Sequence, residues 1–306
     1  MYSLCCISEI LKAEGIKFQT MTWKRFNQLK DQHGVQYALN QLGDRWLNNL
    51  MVTRSYIEHC RRNGWGYRVS SALFPILTHP EFEYGIKDVA QYEEIMINFS
   101  EIAEYNKEWG VRLSCHPDQF NVLASQNQKA VDKSIKELNH QAWVMDMLGC
   151  SQSYRNPMCL HVNCTAGEPQ DIADRFMSNL EKCDEGVRKR LVVENEDKGI
   201  WNCDNLWDFF FQAHGVPIVF DTLHDKCLPS EKRNAYDIAQ TWPSKPLFHY
   251  CEVLPNQNNP RKHADMPTKV PCNVYADWDV ELKSKDFAIK ELQRLEVVNK
   301  LPQYRL

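Results

Sequence analysis

No C-x-x-C pair occurs among the twelve cysteines, which excludes zinc-ribbon spacing and leaves most thiols as reduced, small core residues. No uncharged apolar run reaches the ~18 residues that a membrane span needs, and no basic leader precedes an apolar stretch near Met1. A soluble intracellular protein is therefore expected, cytoplasmic or, in a eukaryote, nuclear. The first apolar run is followed by Ile7-Ser8-Glu9-Ile10 rather than a glycine-rich phosphate turn, which argues against an open dinucleotide-binding sheet. No low-complexity tract, domain linker or short repeat is visible. Nor is there an excess of one charge: the net value of −4 excludes a protein coated in basic surface. A nucleic-acid partner would have to meet a local groove, for which Lys182, Arg188, Lys189 and Arg190, or Arg261, Lys262 and Lys269, are candidates.

What is present is an alternation. Across 306 residues, 43% hydrophobic and 25% charged, short apolar or β-branched runs recur at Tyr2–Ile7, Tyr67–Ser71, Val111–Cys115, Met158–Val162, Leu191–Glu194, Pro217–Asp221, Leu247–Val253 and Val274–Leu282. Between them, apolar residues fall at three- and four-residue spacing over Tyr37–Arg62, Asp88–Trp109, Gln128–Leu148, Asp171–Glu185, Asn205–His214, Ser230–Thr241 and Asp286–Leu295. Strand followed by helix, eight times, predicts a (β/α)8 TIM barrel occupying residues 1–306 as a single domain. Pro255–Lys269, rich in Asn, Pro and charge, reads as a long loop after the seventh strand.

Such barrels place their chemistry where strands end and lead into helices. His116, His161, Glu194 and Asp221 fall at strand ends, with His224 one turn beyond; His249 lies on strand seven, His263 in the loop after it, and Glu281 at the end of strand eight. His79 lies just beyond strand two. One such histidine is ordinarily a satisfied polar residue, but six with three carboxylates around one mouth would be costly to bury unless divalent ions compensated them. The donors are nitrogen and oxygen and exceed what one ion can use, so a bridging carboxylate is expected, Glu194 being midway round the barrel. The competing reading for Glu194 and Glu281 is a salt bridge within the barrel, with Lys283 or Lys285. Cys115, adjacent to His116, points to the opposite side of its strand and is expected in the core. A cluster of ions activates water and neutralises charge on attacking and leaving oxygens, which suits cleavage of a phosphodiester.

The motifs Arg-Leu-Ser-Cys-His-Pro-Asp-Gln-Phe, Glu-Asn-Glu-Asp-Lys-Gly-Ile-Trp-Asn, Asp-Thr-Leu-His and Val-Glu-Leu-Lys-Ser-Lys, in this order and spacing, resemble the UV damage endonuclease family over nearly the whole chain. The resemblance implies a fold like that of endonuclease IV and xylose isomerase. It also implies two or three manganese ions, with zinc, magnesium or cobalt as alternatives, and a monomer that incises double-stranded DNA immediately 5′ to ultraviolet photoproducts. It implies that His116, His161 and Glu194 hold one ion, that Glu194, Asp221, His249 and Glu281 hold a second, and that His224 and His263 hold a third. His79 is implied to assist proton transfer or hold the scissile phosphate, and Glu194 to serve catalysis directly. Gln119 and Phe120 are implied to wedge into the duplex at the lesion. Asn195, Trp201, Lys283 and Lys285, within the matching motifs, are implied to contact DNA, with Arg261 and Lys262 as phosphate contacts. Two positions depart from the pattern: Leu247 stands where some members carry a modified lysine, and Cys5 and Cys6 stand where a relative has an aromatic facing the lesion.

Three other readings share parts of this pattern. An abasic-site nuclease like endonuclease IV uses the same barrel; sugar isomerases and epimerases also gather His, Asp and Glu at strand ends, with fewer ions and histidines. A binding protein that had lost catalysis would be expected to show broken ligands, and none of those named is missing.

Overall fold

A computed structural model describes residues 1–255 and 259–300. Eight parallel strands run β1 (Tyr2–Cys5), β2 (Gly66–Val69), β3 (Leu113–Cys115), β4 (Met158–Leu160), β5 (Leu191–Glu194), β6 (Ile218–Val219), β7 (Leu247–Tyr250) and β8 (Asp277–Val280). Their order around the sheet is β6-β5-β4-β3-β2-β1-β8-β7, which brings the two outer strands of the list back together. β6 and β7 share no ladder; one parallel bridge, Asp221 to His249, closes the barrel there, with His249 N donating to Phe220 O at 3.0 Å. Each of the eight predicted runs coincides with a strand: β5 has the bounds of its run, β2 starts one residue before its run, and the other six are shorter than theirs.

Helices cover the outside of the barrel. Val35–Asn63 buries a stripe that includes Leu39, Leu42, Trp46, Leu50, Tyr56 and Ile57, and stops at Gly64, whose φ of 70° ends a helix without Cβ strain. Two residues on, Gly66 lets β2 approach β1: a Cβ there would stand 2.5 Å from Ser3 Oγ. Trp46, Phe99, Phe176, Phe210 and Phe248, all fully buried, fill the layer between helices and strands.

Some boundaries differ from expectation. The apolar spacing does not mark the helix at Trp23–His33, which is capped by the Thr22 side chain and buries only Phe26 and Leu29. The stretch Asn205–His214 is broken into short pieces around one wider π-type turn, Trp207–Phe211. Within the predicted loop Pro255–Lys269, residues 256–258 lie outside the described residues; Val253 and His263 form an antiparallel bridge across it.

The basic run before β5 is not a groove at the mouth. Arg190 is fully buried and donates to the carbonyls of Ser151 and Gly186, while Arg188 and Lys189 pair with Glu181 and Glu185. These residues precede the strand, so they sit at the barrel's N-terminal end, opposite Glu194. Among the described residues, no helix is long and apolar enough to cross a membrane.

Candidate metal centre at the barrel mouth

Parallel pleated strands send every second side chain into the barrel, so residues at equivalent strand ends converge there. Glu194, ending β5 and 1% exposed, is the point of convergence. Its Oε2 lies 2.9 Å from His116 Nε2 and 3.6 Å from His161 Nε2; its Oε1 lies 3.0 Å from His249 Nδ1 and 3.2 Å from His224 Nδ1. Four histidines from four different strand ends thus surround one carboxylate.

Asp221 and Glu281 complete a second group with His249. Asp221 caps the short helix Thr222–Cys227, its Oδ1 accepting from Leu223 N and His224 N at 2.7 Å each. This cap fixes the carboxylate and places His224 one turn on. Its Oδ2 is buried and finds no partner among the described residues. His263 Nδ1 bonds the Glu281 carbonyl at 2.8 Å, and the two side chains approach to 4.0 Å.

The charges of this cluster are unbalanced as they stand. Burial pushes His161 down to about 4. Burial also opposes the charge on His224 and His249, but Asp221 and Glu194 outweigh it for His224, raising it to about 11, and Glu194 does so for His249, raising it to about 9. Burial raises Asp221; Glu194, against its own burial, is held well below the usual carboxylate range chiefly by His249 and His161. Protons on imidazole are the counter-charge that Glu194 and Asp221 find here, a role that divalent cations fill equally well. With Asp221 Oδ2 and His249 Nδ1 both buried and unpartnered among the described residues, the donor set fits metal ions.

Arg68, which no motif marks in the sequence, makes with Glu281 the kind of salt bridge that the competing reading gave to Lys283 or Lys285. It projects from β2 into the barrel, 8% exposed, and meets Glu281 Oε1 at 2.5 Å and Asp279 Oδ2 at 3.8 Å. Lys283 instead reaches Asp265 at 3.4 Å from an exposed position. Leu247 is buried, as is Cys5, while Cys6 is half-buried in a left-handed conformation, φ 66°. Cys115 lies in the core, as its alternation predicts.

Other predicted residues part company. His79 is not in the Glu194 cluster: its ring stacks on Trp23 at 4.9 Å, and it lines a cleft of about 360 Å³ with Asp118 and Phe120. Phe120 is 73% exposed, beside the exposed Gln119, whose carbonyl is held by Asn163. Trp201 cannot touch DNA: it is fully buried against Phe210, its Nε1 donating to Cys164 O at 2.7 Å. Asn195 is buried too, and its side-chain amide ties down the Asp221 backbone, accepting from Asp221 N at 2.7 Å. Arg261 is exposed and paired with Asp197 at 3.1 Å, whereas Lys262 is exposed. Lys285 adopts a left-handed conformation just past β8, φ 46°.

The family model for UV-endonuclease UvdE matches residues 2–305. The chain belongs to this family. A UV DNA damage endonuclease of Nostoc sp. is 29% identical over 292 residues, covering 91% of this chain and 85% of the relative. A putative UV-damage endonuclease of Acanthamoeba polyphaga mimivirus is also 29% identical, over 72% of this chain and 69% of its own length. The UvdE fold extends to solved structures: the crystal structure of SacUVDE superposes with a TM-score of 0.78 at 24% identity, over 98% of this chain and 99% of that one. Endonuclease IV from Thermus thermophilus superposes with a TM-score of 0.55 at 14% identity, over 80% and 94%.

Proposed function

We propose that the chain, as one catalytic unit and a monomer, is a metal-dependent DNA repair endonuclease that cuts immediately 5′ to ultraviolet photoproducts. The observation that carries the reading is Glu194 encircled by His116, His161, His224 and His249, in a chain of the UV-endonuclease family. His116, His161, Glu194, Asp221, His224, His249, His263 and Glu281 would hold two or three divalent ions, manganese foremost. Bound there, the ions supply Lewis acidity that lowers the pKa of water and offsets charge on phosphodiester oxygens.

The chain's own residues do the rest. Glu194 offers an oxygen to each side of the cluster, which suits a bridging role. The helix cap on Asp221 and the Asn195 amide behind it keep that carboxylate aimed into the mouth before substrate arrives. Phe120, exposed at the cleft that it lines, inserts between bases at the lesion with Gln119 beside it, where ultraviolet damage has already weakened stacking. His79, which lines the same cleft, would bind a phosphate oxygen or pass a proton. Lys262, Lys283 and Lys285 contribute phosphate contacts.

Manganese-loaded protein is expected to nick ultraviolet-irradiated plasmid and to spare unirradiated plasmid, and His161→Ala or Glu194→Gln to abolish nicking. Equal cutting of undamaged plasmid, or full activity in either variant, overturns the reading. A plasmid carrying abasic sites, run in parallel, tests the endonuclease IV-like alternative that the shared fold favours.

A further inference from the structure

β4 carries a donor that its histidine spacing does not announce. Cys159 stands two residues before His161, so strand alternation puts both side chains inside the barrel. It is 3% exposed, and its Sγ lies 3.3 Å from Glu194 Oε2, the oxygen that also meets His116 Nε2 at 2.9 Å. His116, Cys159, Glu194 and His249 each present one donor atom within 4.8 Å of the others. His249 is 1% exposed, and its Nδ1, 3.0 Å from Glu194 Oε1, finds no hydrogen-bond partner among the described residues. An unpartnered, buried imidazole nitrogen aimed into the group is a second sign, independent of the thiol, of a cation between these four side chains.

We propose that Cys159 joins His116, Glu194 and His249 as a sulfur ligand, so that this one position prefers zinc or cobalt, while the positions built from nitrogen and oxygen alone keep the manganese preference proposed above. The inference rests on the metal-centre reading above and adds a donor that the nitrogen and oxygen set lacks. Ligand softness supplies the selectivity. A thiolate binds borderline ions such as zinc far better than the hard manganese ion, whereas imidazole and carboxylate discriminate less. On binding, the Sγ–H bond breaks, the sulfur lone pair forms the metal–sulfur bond, and the proton leaves to solvent; nothing is oxidised or reduced. Geometry at the strand makes the residue available: Cys159 Sγ already lies 3.3 Å from Glu194 Oε2, the oxygen of the shared ligand.

The test uses the whole chain stripped of metal and titrated with cobalt(II), zinc(II) or manganese(II). Cobalt-loaded protein should show sulfur-to-cobalt charge-transfer absorption in the near ultraviolet, and X-ray absorption of zinc-loaded protein should show a Zn–S distance of about 2.3 Å. Cys159→Ser should remove both signals, still bind cobalt through the remaining donors, and lose at least tenfold of the preference for zinc over manganese in a competition titration. A Cys115→Ser control should keep both signals. Metal bound by the wild type without either sulfur signal overturns this inference and leaves the metal centre standing; no stoichiometric metal at all overturns both. Should Cys159→Ser fail to fold, the wild-type X-ray absorption measurement decides alone.

Discussion

Trp201 and Phe120 are both large aromatics in loops that follow strand ends, yet one has no exposed surface and the other is 73% exposed. Their substitutions therefore separate. Trp201→Ala empties a packed site and is expected to cost ~3–5 kcal/mol of stability in urea denaturation, with DNA affinity of the folded fraction unchanged. Phe120→Ala is expected to leave the urea midpoint in place and to weaken binding to irradiated duplex by ~1–3 kcal/mol, the worth of one base–aromatic stack, read by fluorescence anisotropy. The sequence could not distinguish these two because each sits in a matching motif after a strand, and burial is decided by where the rest of the chain folds back. Cys159 and Arg68 were hidden for a different reason. A pattern of histidines and carboxylates carries no signal for a thiol or a guanidinium, although alternation from His161 puts Cys159 on the inner face. Arg68 carried no such mark; only the fold shows that it lies against Glu281.

At the level of elements, the eight strands were legible because a buried parallel strand is a short apolar run, and the cluster followed once those runs were fixed. The loops and short helices were not, since what caps and joins them is distant in sequence. Asp286 is an example. At the start of the final helix, Asp286–Lys300, it accepts from Ser8 Oγ and Glu9 N at 2.7 Å and pairs with His59 Nε2 at 2.9 Å. One buried carboxylate thus ties together the turn after β1, the long helix Val35–Asn63 and the last helix. Asp286→Ala is expected to cost ~3–5 kcal/mol, because it leaves buried donors without their acceptor. Burial opposes its ionisation, but His59 and Ser8 hold its pKa below the ordinary carboxylate value. A folded-state pKa below the unfolded one gives stability that is complete above the unfolded value, ~3.9, and is lost as pH falls through the folded one. The gap between wild type and Asp286→Ala in thermal melts should accordingly hold at neutral pH and narrow below about pH 4.

For the whole molecule, a net charge of −4 means that DNA must be attracted by a few local cations, and Arg261 already has Asp197 as a partner. Lys262→Ala is expected to lower the slope of log affinity against log salt by about one, measured from 50 to 200 mM salt. Arg261→Ala should lower it less, because its pair with Asp197 is neutral overall. Removal of metal with a chelator should lower the melting temperature reversibly; a hundredfold excess of ion over its dissociation constant corresponds to ~2.7 kcal/mol per site.

The closure between β6 and β7 gives that last effect a location. Most neighbouring strands around the barrel are zipped by ladders of two or more pairs, and β3 and β4 by one; β6 and β7 have only an isolated rung, and it joins the very residues, Asp221 and His249, whose side chains face the cluster. An ion gripped by both would act as a rivet across a seam that the main chain barely stitches. The cofactor would then be part of the hoop strength of the barrel, and its loss would be felt first as faster amide exchange along the facing edges of β6 and β7.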